Sequence, residues 1–473
     1  MECADTATTQ GPDWHALQTA IAGRVILAGA PDYEERRKSQ ISRFDAVRPQ
    51  AVVLCETAED VAAAIAFARR NAIPLAPRSG GHCFAGHSSS EGMVIDVTPM
   101  SAVSVSEGLA TIGAGARLGD VYDRLLEHGL TIPAGCGPTV GIAGLTLGGG
   151  LGILGRSHGL TCDSLLAAKV VLADGRIVTC DEQHEADLFW ALRGAGARNF
   201  GIVTQFVFRP ILPPSATGFQ TFWPISRAAD LILAWQSWSP NAPDALAASL
   251  VMTADADQAK PPVIKVFGAM LGTEAQTREL LEELAKAAGT EPTSLFAKSM
   301  THRETKRYLA SLGDTDLAAE PAEAGHAYSK SEFFRTAMPP DAVEALVAHL
   351  KADRIAGQSR ELDFNPWGGA YNRIEETATA FVHRNEIFLL KHTAVVGAEA
   401  SADERQAAQR WLDRAWEIGH PSGTGRAYQN FPDPALENFE DAYYGRNCER
   451  LARVKRKYDA DNVFRFDQSI RVG

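Results

Sequence analysis

No apolar run in this sequence approaches the length of a membrane-crossing helix, which needs about 20 predominantly apolar residues. The N-terminus carries Glu2 and Asp5 where a secretory signal would place basic residues before an apolar stretch, so the expectation is a cytoplasmic protein. Cysteine is sparse and unpatterned. Cys3, Cys55, Cys83, Cys136, Cys162, Cys180 and Cys448 form no C-x-x-C pair and are odd in number, which argues against a zinc site and a disulfide framework; no metal is expected. Positive charge is short as well. The formal net charge is -12, and the basic piece at Arg453, Lys455, Arg456 and Lys457 reads as a solvated helix face, so no nucleic-acid partner is expected. Internal repeats and low-complexity tracts are missing.

What remains is a globular composition, 45% hydrophobic and 22% charged, in a chain of 473 residues that is too long for one ordinary core. Strands and helices alternate in the first half. Ala51 to Leu54 reads as a buried strand, and Thr57 caps a helix whose Val61, Ile65 and Ala68 share a face. Val94 to Val97 and Val103 to Val105 read as further strands. Asp174-Gly175 predicts a hairpin between Lys169–Ala173 and Arg176–Cys180, and Gly201 to Phe208 reads as the next strand. Pro210, Pro213 and Pro214 mark a crossing into a second region. That region mixes helices (Glu279 to Lys286, and the face Ala408, Trp411, Leu412, Ala415, Trp416) with strands at Val263–Phe267 and Ile387–Thr393.

Gly150 to Gly155 matches G-x-G-x-x-G, but a dinucleotide fingerprint should follow a buried strand and open a helix. Here it follows another glycine-rich stretch, and Asp174 is explained by its hairpin turn. Glycine also lets backbone N–H groups approach a pyrophosphate closely. The stretches Arg78–Gly86, Gly135–Gly155 and Gly194–Gly201 suit an extended cofactor that touches several loops.

Several of these segments resemble a known family. Arg78-Ser79-Gly80-Gly81-His82, the run Gly141 to Gly150, Ala191-Leu192-Arg193-Gly194 and Asn199 to Thr204 look like the FAD-binding half of the berberine bridge enzyme-like oxidases, in the vanillyl alcohol oxidase superfamily. Tyr443-Tyr444-Gly445-Arg446-Asn447, Tyr458-Asp459, Asn462-Val463-Phe464 and Gln468-Ser469-Ile470 match its far end. The resemblance implies a two-domain α+β fold: an FAD-binding domain from both chain ends (1–212 and 423–473) and a central α/β substrate domain (213–422) with a mainly antiparallel sheet. It implies covalent FAD through His82, with His87 outside the motif. Implied FAD contacts are Arg78, Ser79, Gly80, Gly81, Ser88, Thr139, Val140, Gly141, Gly144, Leu145, Gly148, Gly149, Gly150, Gly201, Val203 and Asn430.

The chain departs from the family at two places. Many relatives attach the flavin again through a cysteine of G-x-C-x-T-V-G. Here Gly137 holds that position and Cys136 sits one residue early, so Cys136 reads either as a second flavin link or as a structural small residue, with Cys83 a weaker thiol. Relatives also carry a tyrosine base where this chain has Phe431, in Tyr428-Gln429-Asn430-Phe431. His392 stands where the family places a polar residue facing the flavin, so it reads either as a substitute base, with Tyr428 as partner or alternative, or as a satisfied core histidine. Asp363, Asn365 and Trp367 are candidate pocket residues.

The expected reaction is hydride transfer from a small alcohol, sugar or amine to flavin, followed by reoxidation by O2 to hydrogen peroxide; Val140 resembles the small-residue oxygen gate of the oxidases. A dehydrogenase using another acceptor and a flavin-bearing binding protein are the alternatives. A role in secondary metabolism is expected, the substrate itself is not legible among sugars, alkaloids and secondary metabolites, and the expected assembly is a monomer or homodimer.

Overall fold

The computed structural model describes residues 11–312 and 325–473. The apolar run at Ala51–Leu54 is a central strand. β1 (Arg24–Leu27), β2 (Ala51–Leu54), β3 (Leu75–Arg78) and β4 (Met93–Asp96) form a sheet in the order β1-β2-β4-β3, parallel except where β1 meets β2. Val52 and Val53 point to opposite faces and both are buried, as strands covered on both sides require. The helix Ala58–Arg70 starts where Thr57 and Asp60 cap each other's backbone N–H, and it buries Val61, Ile65 and Ala68.

A second sheet follows: β5 (Val103–Ser106), β6 (Leu109–Gly113), β7 (Leu165–Leu172), β8 (Ile177–Cys180) and β9 (Gly201–Phe208), in the order β5-β6-β9-β7-β8. The hairpin expected at Asp174-Gly175 joins β7 to β8, with Gly175 at φ +87°. One departure falls in the glycine-rich stretch Gly135–Gly155, which holds a short helix, Ile142–Leu147. Phe439, Tyr443, Leu451, Phe464 and Ile470 join the core that both N-terminal sheets share, so the last part of the chain packs against the first. The chain thus has a lobe built from both its ends and a second region on a large antiparallel sheet, the two-domain α+β arrangement that the resemblance implies.

That large sheet has seven strands: β10 (Ala216–Trp223), β11 (Leu246–Ala254), β12 (Val263–Met270), β13 (Ser294–Met300), β14 (His326–Phe334), β15 (Gln358–Pro366) and β16 (Phe388–Val396), in the order β13-β10-β12-β11-β15-β16-β14. Its two faces differ. Leu362, Phe364, Phe388, Leu390 and Ala394 are buried together with Trp235, Leu284, Leu346 and Trp411 from four helices. Along β15 and β16 the alternate residues Glu361, Asp363, Asn365, Thr393 and Val395 line an open groove.

This parity corrects the expectation for His392. It shares its face with Leu390 and Ala394, pairs across strands with Lys330 and Leu362, and lies in the helix-covered core, not on the groove. Burial, then the charges of Lys330 and His349, pushes its pKa down to about 3. His392 is the core histidine of the two readings. Among the described residues no helix is long and apolar enough to cross a membrane, and no group of three His, Cys, Asp or Glu side chains is placed to hold a metal.

A histidine kept neutral in the fold makes stability depend on acid. Between its folded value of about 3 and its ordinary 6.5 the unfolded chain binds the extra proton, so His392 costs stability progressively as pH falls through that window. In His392→Leu the fall of Tm with pH across that window is expected to flatten; an unchanged slope would show that this imidazole is solvated.

Candidate functional site

Two of the glycine stretches cross. A Cβ on Gly80 would stand 2.2 Å from the backbone nitrogen of Gly141, and one on Gly141 would stand 2.4 Å from Ser79 Oγ. Only glycine allows both loops to pass this close, and Gly81 at φ +74° turns the first loop on into His82. The crossing helps wall a cavity of about 340 Å³. The motif residues Arg78 to His82 line it, as do Ser88, Val140, Gly141, Gly144 and Leu145. Gly201 and Val203 of β9 and Tyr428 and Asn430 of the C-terminal part complete the wall. Residues up to about 350 positions apart in the chain are thereby brought to one place.

Other expected contacts stand elsewhere. Thr139 lies behind the crossing, its carbonyl 3.1 Å from the position of a Gly80 Cβ. Gly148 is pressed against Asn430, Gly149 against Phe381 and Gly150 against Thr161, so these glycines admit neighbouring side chains rather than line the cavity. Arg78 borders the cavity, but its guanidinium donates to the carbonyls of Arg36, Arg37, Lys38 and Ser88 and so clamps the preceding loop.

His82 is the chemically distinctive group. Neither ring nitrogen has a hydrogen-bond partner among the described residues. Burial brings its pKa down to about 4; the Thr139 backbone opposes this as a weak hydrogen-bonding neighbour, although it stands outside good hydrogen-bond geometry. The imidazole is therefore neutral at physiological pH, with a lone pair available inside the cavity. Ser88 adds a buried hydroxyl without a partner. An orphaned imidazole, an orphaned hydroxyl and crossing glycine loops fit a large, anionic, flavin-type cofactor.

The catalytic candidates separate in space. Tyr428 lines the cavity, and its hydroxyl accepts from Gly150 N–H at 3.0 Å and from Asn430 Nδ2 at 3.0 Å. Burial pushes its pKa up to about 12, so it keeps its proton at neutral pH. Phe431 lines the same wall. Sequence reading missed Lys391. Fully buried on β16, it puts Nζ 5.4 Å from the centre of the Phe84 ring and 5.2 Å from that of Phe431, both at the cavity wall. Asp363 of β15 is its cross-strand partner. The available signal was the two-residue period of β16, counted from its buried apolar positions.

A second, larger cavity of about 730 Å³ lies over the open face of the seven-stranded sheet. Ser249, Thr253, Glu361, Asp363, Asn365 and Thr393 give it polar walls, and Trp367 and Tyr371 add aromatic ones. Gly135, Cys136 and Leu151 line both cavities, so the two meet at these residues.

Comparison with known proteins agrees with this arrangement. Residues 49–181 match the FAD binding domain family and residues 427–471 match the berberine and berberine-like family. The FAD-linked oxidoreductase YvdP of Bacillus subtilis (strain 168) is 35% identical over 462 residues, covering 96% of this chain and 98% of that protein. Chitooligosaccharide oxidase of Gibberella zeae is 28% identical, covering 89% of this chain and 87% of that protein. Among solved structures, BBE-like 1 of Physcomitrella patens superposes with a TM-score of 0.86 at 28% identity, covering 97% of this chain and 99% of that one. With its crossing glycine loops, its orphaned His82 and these relatives over nearly its whole length, the chain belongs to the berberine bridge enzyme-like FAD-linked oxidoreductases of the vanillyl alcohol oxidase and p-cresol methylhydroxylase superfamily.

Proposed function

We propose that this protein is a sugar oxidase that holds FAD through a single covalent bond from His82 and returns the substrate's electrons to dioxygen. The observation that carries this reading is the neutral, unpartnered imidazole of His82 in a cavity that opens into a large polar groove. His82 would hold the flavin through its neutral ring nitrogen, and the bound flavin would supply the two-electron acceptor. A sugar is the substrate class that the groove suits best. Hydroxyl and amide side chains such as Ser249, Thr253, Asn365 and Thr393 match the donors and acceptors of sugar hydroxyls, above a floor backed by the stacked rings of Trp367 and Tyr371. The Gibberella zeae relative that acts on chitooligosaccharides supports the same choice.

The bound flavin supplies the hydride acceptor. Asp363 takes the proton from the substrate hydroxyl whose carbon loses hydride. Its carboxylate lines the groove, and Lys391 stands opposite on β16, where cross-strand side chains are about 5 Å apart. This role replaces the one expected of His392. Tyr428, protonated and held by two N–H donors, orders Gly150 and Asn430 and leaves the proton transfer to Asp363. Val140 keeps a small side chain at the cavity wall, which favours access of oxygen.

In acid-denatured protein the yellow colour and the flavin mass are expected to stay with the wild-type chain and to be lost in His82→Ala; a wild-type chain that releases its flavin refutes the attachment. Asp363→Asn is expected to lower kcat by about 10²- to 10⁴-fold at unchanged flavin content, the range for loss of a general base; a smaller loss removes Asp363 from that role. In an anaerobic sugar screen, a substrate should bleach the flavin and air should restore its colour within one turnover. Val140→Leu is expected to slow the return of colour but not the bleaching. Recovery only with an added electron acceptor would identify a dehydrogenase.

A further inference from the structure

Resting on the reading of a flavin attached at His82, we propose that Cys136 bonds no flavin and instead forms the side wall of the passage through which substrate reaches the flavin cavity. At the position where relatives carry the second attachment, Gly137 offers no side chain at all. Cys136, one residue earlier, packs against a small apolar cluster of the central region built on Ala216, Ala269 and Leu309, with Ile153, Phe267 and Leu312 beside it. Those neighbours belong to the groove side. Lys306 and Tyr122, both buried, stand close to Cys136.

The loop ahead of Cys136 is held in place from the groove side. Lys306, on the helix His302–Leu312, reaches across the seam, and its Nζ donates to Ala134 O at 2.8 Å, Gly135 O at 3.3 Å and Tyr122 Oη at 3.0 Å. An ammonium has three donors, and these three acceptors use them all. Tyr122 Oη in turn donates to Gly135 O at 2.5 Å. Turning the Cys136 backbone to carry its thiol from this junction deep into the flavin cavity would strip acceptors from a buried cation, a costly move. The thiol therefore stays where Gly135, Cys136 and Leu151 join the two cavities, and the reacting end of a sugar has to slide past it. Sulfur and the surrounding aliphatic carbons suit the apolar face of a sugar ring, with the polar groove walls left for its hydroxyls.

Peptide mapping of the intact holoprotein after brief treatment with iodoacetamide tests this. The flavin mass is expected on the peptide containing His82 alone. Cys136 is expected to carry the carbamidomethyl group and to label at least about tenfold faster than the buried Cys55, Cys162 and Cys180, as an accessible thiol should. The treated protein should keep its flavin spectrum and its bleaching by dithionite, yet lose bleaching by the sugar that reduces untreated protein; whatever rate of sugar bleaching Cys136→Ser has before the treatment should be the same after it. Flavin mass on the peptide containing Cys136, labelling as slow as at the buried cysteines, or sugar bleaching that survives labelling would each overturn the proposal. Absence of flavin from the His82 peptide, with Cys136 labelled and sugar bleaching lost, would instead refute the attachment at His82 and leave the placement of Cys136 standing.

Discussion

Asp163 and Arg384 meet at the seam between the two lobes with their side chains almost wholly removed from solvent. Two guanidinium nitrogens donate to the two carboxylate oxygens at 2.9 and 2.7 Å. Leu160 N–H also donates to this carboxylate, and two further guanidinium hydrogens reach Tyr371 O and Thr379 Oγ1. A buried ion pair contributes little beyond an apolar pair of the same shape, but breaking it strands a charge at a cost of about 3–5 kcal/mol. Its effect is positional: it fixes the seam in one register. Around it Tyr371 Oη bonds the backbone of Gly152, Tyr428 Oη accepts from Gly150, and Phe381 fills the spaces left by Gly149 and Gly194. Both cavities open along this seam, so their connection depends on it.

Burial treats the histidines alike and the fold then gives them different uses. His82 and His392 are both neutral, and neither has a hydrogen-bond partner among the described residues. The difference is what each faces. His82 borders a cavity walled by crossing loops, whereas His392 is covered by helices and apolar strand residues. A depressed pKa alone would have ranked His392 as highly as His82; geometry decides between them.

The missing family tyrosine has a local consequence. Phe431 keeps the aromatic wall, with Phe84 at 5.9 Å and Tyr428 at 5.1 Å between ring centres, and the Lys391 ammonium lies near the Phe84 and Phe431 faces. A phenol is thereby exchanged for an apolar ring beside a cation. In the proposed reaction the proton acceptor comes instead from the groove face of the sheet, where Asp363 stands.

Much was legible in the sequence because it is encoded locally. The Thr57 cap, the Asp174-Gly175 hairpin, the glycine loops and the R-S-G-G-H motif each depend on residues a few positions apart, and all appear as read. The motif order also carried the family and the two-lobed α+β fold. What the sequence left open were questions of direction. Whether Lys391 or His392 points at the groove depends on the parity of one strand, and a one-residue offset sends a side chain to the opposite face. Where the loop at Gly135 and Cys136 sits depends on Lys306, which lies about 170 residues away and binds the loop only after the two lobes have packed. Motif and spacing determined which residues surround the flavin cavity; the packing of the sheet against its helices and of one lobe against the other decided which of them face it.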